Sequence, residues 1–347
     1  MKPVSKTDLQ DVLEQTRDLW EEVRGERIFV TGGTGFFGCW LLETFAFAND
    51  QLNLNAQLLA LTRSPEAFEK KAPHLARHPS IGLWTGDVRN FDFPGGIFSH
   101  VIHAGTTSSA PVEPKEMFDT VVKGTQRVLD FAVACGAKKF LLTSSGAIYG
   151  KLPPEPASVP ETYSGSPDPA DPNSAYGEGK RAAELLCAIY QKQHAFETKI
   201  ARCFAFTGPH LPLDAHFAIG NFVRDALAGG PIRIGGDGTP FRSYLYASDL
   251  AIWLWTILFR GTAGRPYNVG SPEPVSIAGL ADEVMRNLAP GVTVSIAKPA
   301  DPLILPSRYV PDVTRAENEL GLCVRVPLND AIRRTAEWHG PQVNPAR

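Results

Sequence analysis

The sequence predicts an α/β fold: a doubly wound parallel sheet with helices on both faces, joined to a smaller mixed α/β domain. Three observations predict it. From Arg27 onward, short β-branched or leucine-rich runs alternate with longer helical stretches, the pattern of strands buried on both faces by crossover helices. A glycine-rich turn, Gly32 to Gly38, lies between the first such run and the first such helix. After Thr207 the alternation weakens and turn sequences such as Gly229-Gly230-Pro231 and Gly235-Gly236-Asp237-Gly238 multiply, which marks the second domain.

In chain order, residues 5–24 place Leu9, Val12, Leu13, Leu19, Trp20 and Val23 at near-helical spacing. They read as one amphipathic helix packed on the domain edge. Strands are predicted at 28–31, 58–61, 82–84, 100–103, 140–144 and 199–203, and helices at 36–49, 114–135 and 174–194. The stretch 151–172 holds seven prolines, so it is neither a helix nor a central strand. It reads as a lid-like loop beside the site. Further helices are predicted at 217–228, 247–260, 276–288 and 328–338. The domain reading is an N-terminal helical extension at 1–25, the sheet domain at 26–206 and the smaller domain mainly at 207–347, with some strands and helices returning to the first.

Composition sets bounds. At roughly 150 residues per domain, 347 residues make about two domains. A hydrophobic share of 43% and a charged share of 20% suit a packed core rather than disorder. The net charge of −3 gives no basic field, so neither nucleic acid nor an anionic membrane is expected as a partner. No apolar run approaches the ~18 residues that span a bilayer, and residues 1–24 are charged throughout with no apolar signal core. The five cysteines are odd in number and lack metal-ligand spacing. They read as buried thiols in a reducing, cytoplasmic setting. The eight histidines form no ligand pair on a helix, so no metal is expected.

The glycine turn Gly32-Gly33-Thr34-Gly35-Phe36-Phe37-Gly38, between an apolar strand and an apolar helix, predicts a dinucleotide site. Gly32 permits the tight turn, Gly35 lets backbone approach a pyrophosphate, and Gly38 allows close helix–strand contact. The helix start offers unpaired N–H groups to phosphate. The second strand ends Thr62-Arg63-Ser64 with no acid at its tip. A carboxylate there would repel a 2′-phosphate and an arginine would hold one, so NADP(H) is favoured over NAD(H). Asp87, with Val88 beside it, is placed to accept from an adenine amino group. His103, Ala104 and Gly105 close the fourth strand and let a cofactor pass near the backbone.

Tyr176 and Lys180 are four apart on a predicted helix and so share a face about 6 Å apart along the axis. The ammonium is expected to lower the tyrosine pKa and make Tyr176 a proton donor or acceptor. Pro172 followed by Asn173 or Ser174 as N-cap starts that helix. The strand ending Ser144-Ser145 can bring Ser145 to the same substrate oxygen.

These residues, with Gly236-Asp-Gly-Thr-Pro-Phe-Arg242, Tyr246-Ala-Ser-Asp249, Tyr267-Asn-Val-Gly270 and Arg308-Tyr-Val-Pro-Asp312, fall in an order and spacing over 27–321 that resembles an extended short-chain dehydrogenase/reductase. The likeness is to the NAD-dependent epimerase/dehydratase family, which modifies nucleotide sugars. The resemblance implies a Rossmann-type dinucleotide domain and a sugar-nucleotide domain. It implies that Ser145, Tyr176 and Lys180 are catalytic, the last two also touching the cofactor. It implies that Arg242 and Arg308 hold a diphosphate, that Asn221 contacts substrate, and that a homodimer forms through the helices near 114–135 and 174–194.

Three departures from the family pattern stand out. The Thr-Asp-Glu run of family dehydratases is Ser145-Gly146-Ala147, an Asn near 120 is Thr120, and another common Asn is Ala205. Glu178 is about 200° around the helix from Tyr176 and points away. Glu155 and Glu161 in the proline-rich stretch are the acids that a loop could bring in. The reading that follows is an oxidoreductase acting at C4 of an NDP-hexose, a 4-ketoreductase first. The alternative is a 4-epimerase with tightly bound NAD+. Dehydration and decarboxylation are disfavoured by the missing carboxylates. A non-catalytic NAD(P)-binding sensor is disfavoured by the intact Ser145/Tyr176/Lys180 set, because sensing needs no proton relay.

Overall fold

The computed structural model describes residues 1–105, 112–152, 157–215 and 217–340. The helices are α1 (Lys6–Thr16), α2 (Phe36–Leu52), α3 (Pro65–Lys71), α4 (Pro73–Ala76), α5 (Pro114–Ala134), α6 (Ala175–Gln193), α7 (Ala218–Leu227), α8 (Ala247–Arg260), α9 (Ile277–Leu288), α10 (Thr314–Leu320) and α11 (Leu328–His339). The strands are β1 (Arg27–Thr31), β2 (Gln57–Thr62), β3 (Ile81–Thr85), β4 (His100–His103), β5 (Lys139–Ser145), β6 (Glu197–Cys203), β7 (Phe206–Thr207), β8 (Ile232–Ile234), β9 (Phe241–Arg242), β10 (Leu245–Tyr246), β11 (Pro266–Val269), β12 (Val275–Ser276), β13 (Val294–Ile296) and β14 (Arg308–Tyr309).

Seven strands make one parallel sheet in the order β11-β6-β5-β4-β1-β2-β3. The order reverses at β1, whose neighbours are β4 and β2, and the crevice beyond the carboxyl ends at such a point is where a ligand binds. This is the Rossmann-type fold. On one face Phe29 of β1 packs on Phe91, Phe98 and Phe131 at ring separations of 5.5, 5.8 and 4.6 Å. On the other lies α8, whose residues Ala247 to Phe259 are all buried, as expected of a helix apolar on every side. β11 forms the far edge of the main sheet although it follows strands β7 to β10 of the small separate sheets in sequence.

Several local expectations change. Residues 5–24 are not one helix: α1 ends at Thr16 and a 3₁₀ helix runs Arg17–Val23. The Thr16 hydroxyl donates back to the Val12 carbonyl (2.7 Å) and accepts from the Trp20 indole (2.9 Å), the back-bonding that bends helices. α1 is tied to the remainder by Asp8, which accepts from Tyr246 (2.9 Å) and Arg334 (2.6 Å). Ser174, one of the two expected residues, occupies the N-cap position of α6, but its side chain does no capping. Asp171 caps a leading 3₁₀ turn by accepting from the Asn173 N–H (2.9 Å). The proline-rich stretch, of which 153–156 with Glu155 lie outside the described residues, is held rather than lid-like where it is described. Val159 exchanges main-chain bonds with Val310 and Asp312, both 2.9 Å. Among the described residues no helix is long and apolar enough to cross a membrane.

Candidate active site

The glycine turn is shaped to take a dinucleotide. Gly32 has φ +70°, which glycine alone adopts without strain, and a Cβ there would overlap the Ala104 carbonyl. A Cβ at Gly38 would overlap the backbone of Gly32 and Gly33, so α2 can start flush on the turn only because both are glycines. Gly35 precedes α2 with no side-chain cap, which leaves the Phe36, Phe37 and Gly38 N–H groups to a ligand. The rings of Phe36 and Phe37 pack inward instead, Phe37 edge-on to Phe206 at 5.1 Å. The Thr34 carbonyl accepts from Lys71 Nζ (2.6 Å). A tight turn with no Cβ at 32 or 38 and an uncapped helix start at Gly35 fits the cofactor this fold implies.

The other predicted cofactor residues divide. Ala104 and Gly105 line the turn, Gly105 N donating to Thr31 Oγ1 (3.1 Å). The His103 ring lies between Thr31 (2.6 Å) and Thr125 (3.1 Å), and its carbonyl accepts from Thr143 (3.2 Å). It joins β1, β4, β5 and α5, and both ring nitrogens are committed. Burial holds it neutral, its pKa lowered to about 3. Both Asp87 oxygens are taken by Arg89 (2.7 and 3.0 Å), so the acceptor expected there for an adenine amino group is already engaged by a guanidinium. Val88 packs on α5 opposite Gly124. Arg63 is exposed and has no ion pair among the described residues. The tip is not wholly free of acid: Ser64 Oγ caps α3 at Ala67 and reaches Glu66 at 3.3 Å.

The structure brings Ser145, Tyr176 and Lys180 together at the end of β5 and the start of α6. β5 ends at Ser145, whose Oγ accepts from Ala147 N (3.1 Å). The first turn of α6 brings Tyr176, whose hydroxyl interacts with Ser145. Lys180 donates to the Thr143 carbonyl (2.7 Å), and its Nζ is 5.9 Å from the Tyr176 ring centre. The expected direction of the Tyr176 shift is reversed. Burial raises its pKa to about 12, because desolvation of the phenolate outweighs the neighbouring hydroxyl. Lys180 is the group brought toward neutrality, lowered to about 8 by burial.

A lysine whose folded pKa is depressed binds fewer protons folded than unfolded between about 8 and 10.5. Its burial therefore costs stability below about pH 8, and that cost fades as pH rises toward 10. Lys180→Met is thus expected to gain most in melting temperature over the native chain near pH 7 and least near pH 10. A pH series of paired melts checks this.

The substrate-side arginines arrive on adjacent parallel strands, β9 and β14, with Arg308 opposite Phe241 and Tyr309 opposite Arg242. Arg308 lies 4.4 Å over the Phe241 ring and Arg242 lies 5.8 Å over Tyr309. Neither is neutralised by a carboxylate among the described residues, so both can offer charge to an anion. Asn221 on α7 gives its Oδ1 to Arg224 one turn along (3.1 Å), leaving its amide group.

Two features escaped the sequence reading. The Tyr309 and Phe204 rings meet at 4.7 Å with their planes tilted by 40°, directly against Gly146. Beneath the site, Arg202 and Glu184 form a two-pronged ion pair (3.1 and 2.8 Å) that also holds Ser144 (2.5 Å) and Tyr149 (3.0 Å). Tyr309 adjoins Arg308 in the motif Arg308-Tyr-Val-Pro-Asp312, whose spacing does not show that the ring reaches Gly146. Glu184 shares a helix face with Lys180 at four-residue spacing, a signal that could have found it.

A family model described as "NAD dependent epimerase/dehydratase family" matches residues 28–270. UDP-glucuronic acid decarboxylase 5 of Arabidopsis thaliana is 30% identical over 88% of this chain and 87% of its own. UDP-glucuronic acid decarboxylase 1 of the same plant is 31% identical over 89% and 68%. Among solved structures, UDP-glucose 4-epimerase of Thermotoga maritima superposes with a TM-score of 0.73 at 20% identity, over 90% of this chain and 98% of its own. A dTDP-glucose 4,6-dehydratase of Streptomyces venezuelae, solved with NAD, gives 0.74 at 24% over 90% and 96%.

Proposed function

The chain belongs to the NAD-dependent epimerase/dehydratase family of extended short-chain dehydrogenase/reductases, and we propose that within it this protein works at C4 of an NDP-hexose as a 4-ketoreductase. One observation carries the reading: a complete Ser145/Tyr176/Lys180 set has no carboxylate beside it at 146 or 147. In this reading Ser145 polarises the C4 oxygen. Tyr176, kept protonated by burial, gives its proton to the alkoxide as it forms, and Lys180 stands behind to restore it. A bound nicotinamide dinucleotide supplies or accepts the hydride at that carbon. Arg242 and Arg308 take the diphosphate.

The available acids support redox without elimination. The Glu161 side chain is buried, its carboxylate accepting from the Asn268 N–H (2.8 Å) with Arg315 beside it at 3.7 Å. Glu178 faces Arg181 at 3.7 Å. A 4-epimerase is the alternative that the same three residues serve, since it needs the C4 chemistry run once in each direction. Decarboxylation is the reading that the names of the plant relatives favour. Ala147 and the engaged Glu161 weigh against it, although a 4-ketone β to a carboxyl can lose CO2 by itself.

One assay separates these readings. The purified protein is incubated with NDP-hexoses, their 4-keto forms and UDP-glucuronic acid, with either cofactor, and the products are weighed. A 4-keto sugar gaining two hydrogens is the expected result. Unchanged mass with inverted C4 means the epimerase, loss of CO2 the decarboxylase. Loss of water from any NDP-hexose would sink the reading.

The preference for NADP(H) rests on Arg63 and is supported by its exposure and by its making no direct ion pair among the described residues, with its electrostatic attraction to Asp87 and the Ser64–Glu66 contact as the opposing features. Arg63→Ala is expected to weaken NADPH binding by about 1.5–3 kcal/mol and leave NADH nearly unchanged. Titration with both cofactors checks it, and equal losses would place Arg63 on a part that both share. A homodimer through α5 and α6 is supported by the exposed Phe118, Leu185 and Ile189 on those helices.

A further inference from the structure

The glycine turn must hold one shape to present the start of α2, yet its own residues do little to hold it. Gly32, Gly33 and Gly35 surround Thr34, and glycine has the most backbone freedom to lose. The Gly35 N–H donates to the Gly32 carbonyl at 3.1 Å and closes the turn below its apex. The apex itself is held from outside. The Thr34 carbonyl accepts from Lys71 Nζ at 2.6 Å. Among the described residues no carboxylate forms an ion pair with that ammonium, so the bond to the turn has no such competitor.

Lys71 is a donor on a fixed support. It is the last residue of α3, which Ser64 caps at its start by accepting from the Ala67 N–H (3.2 Å). At the other end the Ala72 N–H donates to the Phe68 carbonyl (2.8 Å), and the Phe68 ring is buried in the core. Three residues past Lys71, His74 Nε2 lies 2.7 Å from Glu43 Oε1, and Glu43 is a buried residue of α2. The chain on both sides of Lys71 is therefore fastened, on one side to the same helix whose first N–H groups the turn presents. A donor held this way loses little further freedom in making its bond, and an ammonium makes a stronger bond than a neutral donor.

We propose that Lys71 is a positioning residue for the dinucleotide: by holding the Thr34 carbonyl it keeps the turn in the shape in which the Phe36, Phe37 and Gly38 N–H groups meet phosphate. This rests on the dinucleotide reading of the turn and not on the C4 reading. It separates Lys71 from Arg63, whose effect is confined to a 2′-phosphate. When only a fraction of the molecules hold the competent turn, the Kd of every ligand that uses the helix start rises by the reciprocal of that fraction. NADH and NADPH carry the same diphosphate, so the factor is the same for both.

The test uses Lys71→Met and Lys71→Arg in the full chain, titrated with NADH and with NADPH. Lys71→Met is expected to weaken both by one common factor of about tenfold, the low end for a hydrogen bond from a charged donor. Lys71→Arg still has N–H groups to donate and should stay within about threefold of the native chain. Hydrogen-exchange mass spectrometry of peptides covering 33–40 gives a readout without cofactor: exchange should quicken in Lys71→Met and return in Lys71→Arg. A loss below about twofold for both cofactors, no recovery in Lys71→Arg, or unchanged exchange would overturn the proposal. A loss confined to NADPH would overturn it too, since it would place Lys71 on the 2′-phosphate. Should Lys71→Met fail to fold, Lys71→Gln, shorter and uncharged, takes its place with the same expected losses. Failure of the native chain to bind either dinucleotide would instead overturn the reading of the turn itself.

Discussion

Tyr176→Phe is expected to lose turnover by on the order of 10²–10⁴-fold, the worth of a positioned general acid, while cofactor affinity stays near the native value. The reason is local. Tyr176 is the one phenol on α6 that shares a face with Lys180 and meets Ser145. The phenylalanine ring keeps the packing and removes only the transferable proton. The glycine turn that would hold the dinucleotide lies on β1 and α2, elements built without Tyr176. A purified variant that turns over at near the native rate would show that the proton comes from elsewhere, with Tyr309 the first candidate. Since burial keeps the Tyr176 phenol up at about 12, activity should not require a tyrosinate in the free protein. The titration of Lys180 near 8 is the group expected to shape the alkaline limb of a pH profile.

Glu184→Ala is expected to cost about 3–5 kcal/mol of stability, the range for breaking a buried pair and stranding its partner. Both side chains are 13% exposed, and the guanidinium meets the carboxylate through two bonds. Removal of Glu184 leaves Arg202 charged and buried, and takes the acceptor from Ser144. Arg202 would keep Tyr149 (3.0 Å) and the Glu161 carbonyl (3.0 Å), neither of which offsets a full charge. Glu184→Gln keeps the shape and one acceptor and should lose less. Urea unfolding of the three proteins checks the order. A loss below about 1 kcal/mol for Glu184→Ala, the level of an exposed pair, would mean that water reaches Arg202. Because Ser144 adjoins Ser145 and Glu184 lies one turn from Lys180, the alanine variant should also be slower.

The sequence by itself determined what depends on local geometry. A period of two against a period of 3.6 separates strand from helix, and the six predicted strands up to Cys203 and the helices around them stand within a few residues of prediction. The glycines at 32 and 38 are legible because their reason is steric and lies within seven residues. Tyr176 and Lys180 are legible because four-residue spacing on a helix fixes a shared face.

Tertiary structure alone decided the rest, because burial and long-range pairing have no local signature. The sign of the Tyr176 shift is not legible in the sequence, because proximity to Lys180 shows there and desolvation does not. Glu161 reads as a mobile loop acid until its carboxylate is found on the Asn268 amide. The 3₁₀ break after Thr16 follows from one hydroxyl bonding both backward and to an indole, a choice fixed by the packing of Trp20. β11, more than sixty residues beyond β6 in the chain, becomes its parallel partner, since a sheet edge takes whichever strand buries best against it. Gly146 carries no message of its own either. Its meaning lies in Tyr309, which the small sheet of β9 and β14 sets down on the exact volume that a side chain would need.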